Sequence, residues 1–332
     1  MIGAVDDTAK WSPTPGRIMA ETHDSGFDAV VLTAVWKHGA QADADLPPLR
    51  RAVRAAVAQN VDPLLDIYQQ SGDTPASPDD RAAFAAYAAA LARALPSVDQ
   101  VMIENEPNLN LFWDPQFGGD GSDTAAAGYE ALLAATYDAL KAVNPNVTVI
   151  GGNLSPHGGD EPGASRPTHS PTKFIEDMSP AYRASGRKQP LMDEFSMHVY
   201  GDSPRIPPTL AHPNTTSIGI ADYDKLVSLL HTAFGGTLPI VYGEYGVETT
   251  VPAEKRKLYT GEEVVTTVDA QLQAQYYREA IELARKQRDV RALFIFKVFD
   301  ETRLEGLQSG VRYADGSPKP SLAVIQSLES SG

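Results

Sequence analysis

The chain has 332 residues, of which 42% are hydrophobic and 21% charged, with a net charge of −15 and a pI of about 4.8. That is a globular composition with length for a large core; the acidity argues against nucleic acid or anionic lipid as partner and fits an uncharged one. There is no cysteine, which excludes disulfides, thiolate zinc sites and cysteine nucleophiles, and no run approaches the length of an apolar membrane span.

In chain order, short apolar, β-branched runs alternate with longer amphipathic stretches. Strand one is expected over 2–7, IGAVDD, followed by a helix near 14–25. Strand two, DAVVLTAVW over 28–36, leads to a helix near 46–59. Strand three is DPLLDIY, 62–68. Its helix spans 77–95, with Ser77 as N-cap, Pro78 at the first helical position and Asp79 and Asp80 in the first turn. Strand four, QVMIENEP from 100, precedes a helix over 124–143. Strand five, 147–153, precedes a helix near 171–184, and strand six, 193–200, one over 221–234. Strand seven is 239–245, with a long helix over 267–288. Strand eight is 290–299, and a helix over 319–330 closes the chain.

Eight strand–helix units in this length predict an α/β protein, a (β/α)8 TIM barrel forming a single domain over 1–332. A doubly wound open sheet is the rival. It usually carries a glycine-rich phosphate turn after strand one, where this chain has DDTAKWSPTPG instead. Helix-to-strand connections such as QNV and VNPN are short, whereas strand-to-helix connections at 107–123, 154–170, 201–220 and 246–266 are long. In a barrel the long ones share the C-terminal face, where barrel active sites sit.

The segment VMIENEPNLN, 101–110, places Glu104, Asn105 and Glu106 at the end of an apolar run. Carboxylates there are costly unless paired or given a task. A strand period of two predicts that Met102, Glu104 and Glu106 face one way and Ile103 and Asn105 the other. Glu106 falls at the C-terminal lip, before Pro107 ends the strand. IVYGEYG ends strand seven with Glu244, and MHVYG brings His198 and Tyr200 to the same lip. Strands four and seven lie on opposite sides of an eight-strand ring. Two carboxylates converging on one bond are what glycoside hydrolysis requires, one to protonate the leaving oxygen and the other to attack or to activate water.

NEPN at the end of strand four and YGEYG at the end of strand seven resemble the signatures of glycoside hydrolase clan A, barrel enzymes with catalytic glutamates on those two strands. The resemblance spans essentially the whole barrel, and the closing GVRYADGSPKPSLAVIQSL is similar to the final segment common there. It implies a retaining glycosidase working through a covalent glycosyl-enzyme. Glu106 would be the general acid/base, Glu244 the nucleophile, and Asn105 the partner of the sugar 2-hydroxyl. Tyr200 would orient the nucleophile, and His198 would line the site or be a satisfied structural histidine. Candidate sugar contacts are completed by Asn153, Phe299 and the tryptophans Trp36 and Trp113, with Trp11, Tyr68 and Phe112 behind them. No cofactor and no metal are expected. The expected partner is a carbohydrate with an equatorial β-type or α-L-arabinose linkage, in an oligosaccharide, glycoside or plant or microbial glycan, bound by a monomer. Extracellular residence is expected, with a leader removed; cytoplasmic residence is the alternative.

The chain also departs from that pattern. Strand two lacks the arginine that supports the nucleophile in many clan members and has only Lys37 beyond its end. Strand eight offers Phe296 or Phe299 where many carry tryptophan. Glu104 is read as a buried partner of a basic residue, without a chemical role. Two other functions fit a barrel: a metal-dependent isomerase or lyase built on Asp6, Asp66 and Glu106, and a carbohydrate-binding barrel without activity.

Overall fold

The structure, a computed structural model, describes residues 1–329. Its strands are β1 (Ile2–Val5), β2 (Ala29–Val35), β3 (Asp62–Tyr68), β4 (Gln100–Ile103), β5 (Thr148–Leu154), β6 (Glu194–His198), β7 (Ile240–Tyr245) and β8 (Val290–Ile295). They pair in parallel in chain order and close, β8 returning to β1 through Gly3 beside Phe294. Around them run α1 (Thr8–Trp11), α2 (Pro15–Asp24), α3 (Leu46–Ala58), α4 (Pro78–Ala94), α5 (Thr124–Val143), α6 (Pro171–Ala184), α7 (Tyr223–Phe234), α8 (Ala270–Lys286) and α9 (Pro320–Glu329). This is the (β/α)8 barrel that the alternation predicts. Residue 330 of the expected last helix lies outside the described residues.

Two apolar layers hold it. Inside the ring, Val5, Val31, Leu64, Met102, Ile150, Val241 and Phe294 form one cluster, a packed interior rather than a pore. A Cβ at Gly3 would run into the Phe294 ring, so only glycine lets that ring fill the floor. Alternate residues of the same strands face outward and meet the helices: Leu32, Ile67, Ile103 and Phe195 pack with Phe84, Tyr129, Phe174 and Tyr277. The start of α4 carries the cap its sequence predicts. The Ser77 hydroxyl accepts from the Asp80 amide at 3.1 Å, and the Asp80 carboxylate accepts from the Ser77 amide at 3.2 Å.

Four strands end two or more residues earlier than expected: β1 at Val5, β4 at Ile103, β6 at His198 and β8 at Ile295. The residues beyond leave the ladder and build the lip. Two tryptophans expected at the sugar are core instead. Trp36 is 1% exposed and packs edge-on against Phe84 at 5.6 Å. Trp113 is 3% exposed, against Tyr129 and Gly128, where a Cβ would lie 2.7 Å from the indole. Indole offers the largest apolar surface available, and here the barrel–helix layer takes it. Trp36→Ala should therefore cost roughly 3–5 kcal/mol of stability, read as a lower urea midpoint at unchanged slope; an unmoved midpoint would contradict the core placement.

Candidate active site

The lip residues are aimed by departures from the regular pleat. The β4–β5 ladder ends at Met102 beside Ile150. Beyond it Glu104 (φ +74°), Glu106 (φ +44°), Gly152 (φ +85°) and Asn153 (φ +51°) are all left-handed, a conformation costly for residues other than glycine and persistent only where surroundings impose it. Met102, Glu104 and Glu106 therefore do not share a face as strand period predicts. Met102 stays inside the barrel, Glu104 is sealed at 0% exposure, and Glu106 reaches the cleft.

The interrupted backbone is satisfied from elsewhere. The Tyr129 hydroxyl of α5 donates to the Ile103 carbonyl at 3.0 Å and accepts from the Gly152 amide at 2.7 Å. The Glu106 amide donates to the Asn153 carbonyl at 2.9 Å, and the Asn153 side chain donates to the Glu104 carbonyl at 2.8 Å. On β7 the register shifts between Tyr242 and Tyr245, which both face the outer core. That irregularity turns Glu244 to the cleft, as bulges beside active sites do.

Glu106 and Glu244 meet over one imidazole. His198 Nδ1 lies 3.0 Å from Glu106 Oε1 and 3.4 Å from Glu244 Oε2. Its Nε2 lies 3.1 Å from Asn153 Oδ1, which also accepts the Ser196 hydroxyl at 2.7 Å. An amide oxygen offers no proton, so Nε2 carries one. Burial works against a charge on this ring, but Glu244 and Glu106 outweigh it and raise its pKa to about 9. The ring is thus an imidazolium at neutral pH. Tyr200 donates to Glu244 Oε2 at 2.9 Å. Burial raises the Glu244 pKa and Glu106 adds to this, while His198, Tyr200 and Lys297 oppose it.

Above the pair opens a cleft of about 450 Å³, within the range of small-molecule sites. Of the sequence candidates, Glu106, Glu244, Asn105 and Tyr200 line it. His198 and Asn153 do not: each is 1% exposed and lies beneath the carboxylates, with its polar atoms engaged by protein. Phe299 is packed in the outer core at the edge of an adjoining groove. Its place at the cleft is taken by Phe296. Tyr68 and Phe112, edge to face at 5.9 Å, are the aromatic wall. Trp11 stands 72% exposed at the end of α1.

Sequence reasoning gave no substrate role to Asp66, Thr33, Lys297 or Asp7, all of which line the cleft. Their one available signal was position at the ends of β1, β2, β3 and β8. On β2 the Thr33 hydroxyl donates to Asp7, which Lys10 pairs at 2.9 Å; Lys37, beyond the strand, is exposed. Asn108, the last residue of NEPN, is a latch: its side chain donates to the Ser155 and His169 carbonyls and accepts the Ser155 amide at 2.8 Å, tying the loops after β4 and β5 together.

Glu104 has no basic partner among the described residues. The charged group that acts on it is Asp66, and neither of its oxygens has a hydrogen-bond partner among those residues. Burial first, then Asp66, hold its pKa well above the carboxylate range.

The fold is a (β/α)8 barrel, and the solved structures similar to it include glycosidases. A monomeric β-xylosidase from Caulobacter crescentus aligns over 98% of this chain and 66% of its own, at 16% identity and a TM-score of 0.64. A family 5, subfamily 18 glycoside hydrolase from Streptomyces cattleya, solved with Manβ1-4GlcNAc, aligns over 98% and 79%, at 16% identity and 0.64. A Bacteroides uniformis β-glucuronidase covalently bound to a cyclophellitol-6-carboxylate aziridine covers 99% of this chain at 12% identity and 0.62, this chain spanning 35% of that longer one. No protein-family model and no curated protein sequence matches the chain.

The state of Glu104 has a measurable sign. Its folded pKa is raised, so above about 4.5 the unfolded chain releases a proton that the folded one keeps. Each further pH unit then favours unfolding by about 1.4 kcal/mol, until the folded carboxyl itself titrates. Glu104→Gln removes that dependence. The variant's stability advantage over wild type in denaturant should widen as pH rises from 5 to 8; a constant or shrinking difference would mean the carboxyl is ionised in the fold.

Proposed function

We propose that this protein is a retaining glycosidase that cleaves a β-type O-glycosidic bond by double displacement. The carrying observation is the pair Glu106 and Glu244, with one nitrogen of His198 at 3.0 and 3.4 Å from an oxygen of each. Those two oxygens can lie no further apart than the two distances laid end to end. That is below the roughly 6.5 Å at which inverting pairs begin, and it supports direct attack rather than a water held between the carboxylates. The neighbours with glycosidase activity, one of them trapped as a covalent adduct, support the same reading.

In this mechanism Glu106 protonates the departing oxygen while Glu244 attacks the anomeric carbon. Glu106, then a carboxylate, takes a proton from the water that releases the sugar. Tyr200 and the His198 cation hold Glu244 in place and favour its ionised form. Asn105, half-buried at the cleft with no protein partner for its amide, is free to bind the 2-hydroxyl. A metal-dependent reaction gains no support from the donors it would need: Asp6 accepts the amides of Thr8, Val298 and Phe299, and Glu106 faces His198.

The two glutamates can be told apart. Glu106→Ala should still cleave dinitrophenyl glycosides, whose leaving groups need no proton. It should then accumulate the glycosyl-enzyme, and azide should rescue turnover to give the glycosyl azide of retained configuration. Glu244→Ala should be rescued only to the opposite configuration. Exchanged configurations would exchange the roles, and wild-type rates in both variants would leave the barrel without glycosidase chemistry at this pair.

A further inference from the structure

Three aspartates stand at the β1 and β3 side of the cleft, and two are fully engaged. Asp6 bridges β1 to the segment after β8, accepting the Thr8 amide at 2.8 Å and the amides of Val298 and Phe299 at 3.1 and 3.2 Å. Asp7 accepts the Lys10 ammonium at 2.9 Å, the Thr33 amide at 3.0 Å and the Thr33 hydroxyl. Asp66 accepts no hydrogen bond among the described residues. It follows Leu64 on the inward face of β3, opens on the cleft, and is only 5% exposed, and its Oδ1 is sealed from solvent without a hydrogen-bond partner. A buried polar atom left unpaired costs stability unless something else meets it.

We propose that Asp66 is a substrate-binding residue that hydrogen-bonds a ring hydroxyl of an uncharged sugar seated against Glu244, and that this end of the cleft turns uronic acids away. The inference rests on the glycosidase reading and names the glycone for it. Burial, with Glu244 and Asp7 beside it, holds the Asp66 carboxyl well above its ordinary range. In that state it offers one O–H donor and an acceptor, the complement of a hydroxyl. A sugar carboxylate would instead meet Asp66, Glu106 and Glu244. The two nearby ammonium groups are occupied, Lys10 by Asp7 and Thr33, Lys297 by Glu301. Asn105, in the segment after β4, answers for the 2-hydroxyl, so Asp66 takes a different one.

The test is a substrate series on the purified full chain. Wild type, Asp66→Asn and Asp66→Ala are assayed on the nitrophenyl β-D-glucoside, xyloside, galactoside, mannoside and glucuronide, then on the 3-, 4- and 6-deoxy forms of the best neutral one. In wild type, removing one hydroxyl should lower kcat/KM by roughly 100-fold or more, since a site built to bond a hydroxyl rejects the analogue lacking it. In Asp66→Ala that penalty should fall below about tenfold, the coupling expected of groups in contact. Asp66→Asn, still a donor and acceptor, should keep most of it. A merely structural role would slow every glycoside alike, and that pattern overturns the proposal even where glycosidase activity is plain. So does a wild type indifferent to every deoxy position, whether or not the variants fold. A glucuronide turned over faster than the neutral glycosides overturns it too while leaving the glycosidase reading intact. No turnover of any glycoside overturns both.

Discussion

Asn153 joins β5 to β6 and to the segment after β4 through three hydrogen bonds of its carboxamide and one of its backbone. Its Nδ2 donates to the Glu104 carbonyl, its Oδ1 accepts from Ser196 and His198, and its own carbonyl takes the Glu106 amide. The left-handed backbone at φ +51° is what lets one residue reach all of these, and the bonds offset the strain. The chemistry above depends on this arrangement. Because Oδ1 can only accept, it fixes a proton on His198 Nε2 and leaves Nδ1 to face the two carboxylates. A residue placed by sequence among the sugar contacts instead sets the protonation of the group beneath the two carboxylates.

The barrel was legible because its signal is repeated eight times and rests on the simplest physics, apolar period and loop composition. The two catalytic candidates were legible because each sits where an apolar run stops at a strand end. Their neighbours were not, and the reason is local. Period two holds while a strand stays in its ladder. β4, β5 and β7 leave theirs at the positions of interest, at Glu104, Gly152 and the shift before Tyr245. Once the pleat is broken, sequence spacing no longer reports direction. Glu104, assigned the face of Glu106, is sealed away, while Asn153 is turned to face His198. Nothing in the letters ENEP or GGN announces a left-handed residue other than glycine.

The two tryptophan assignments failed for a different reason. Trp36 and Trp113 stand in or beside strand-to-helix loops, and a place on the cleft's side of the barrel was read as a sugar contact. Both loops double back over the outer layer, where Phe84 and Tyr129 are waiting. Smaller aromatics, Tyr68, Phe112 and Phe296, are left to face the cleft. They offer apolar ring faces to a sugar's C–H surface at less area than indole, so recognition falls more heavily on hydrogen bonds than in a tryptophan-lined site.

That shift of weight bears on how one barrel end tolerates six carboxyls. Asp6 and Asp7 are met by amides, a hydroxyl and Lys10, while burial and neighbouring carboxylates push the pKa of Asp66 and Glu104 well above the carboxylate range. The remaining two share one cation. In the proposed double displacement the pair would start with a single negative charge, on Glu244. When the sugar bonds to Glu244 and Glu106 gives up its proton, the pair again carries one, now on Glu106. His198 Nδ1 is within reach of both, so the imidazolium faces one carboxylate before the step and one after, without moving. A fixed charge that fits both states needs no reorganisation as the bond breaks, which is the condition under which electrostatic stabilisation is most effective. The same condition argues that the rest of the cleft should hold no other ionised group close by. A neutral, unpaired Asp66 meets it, and an ionised one would not.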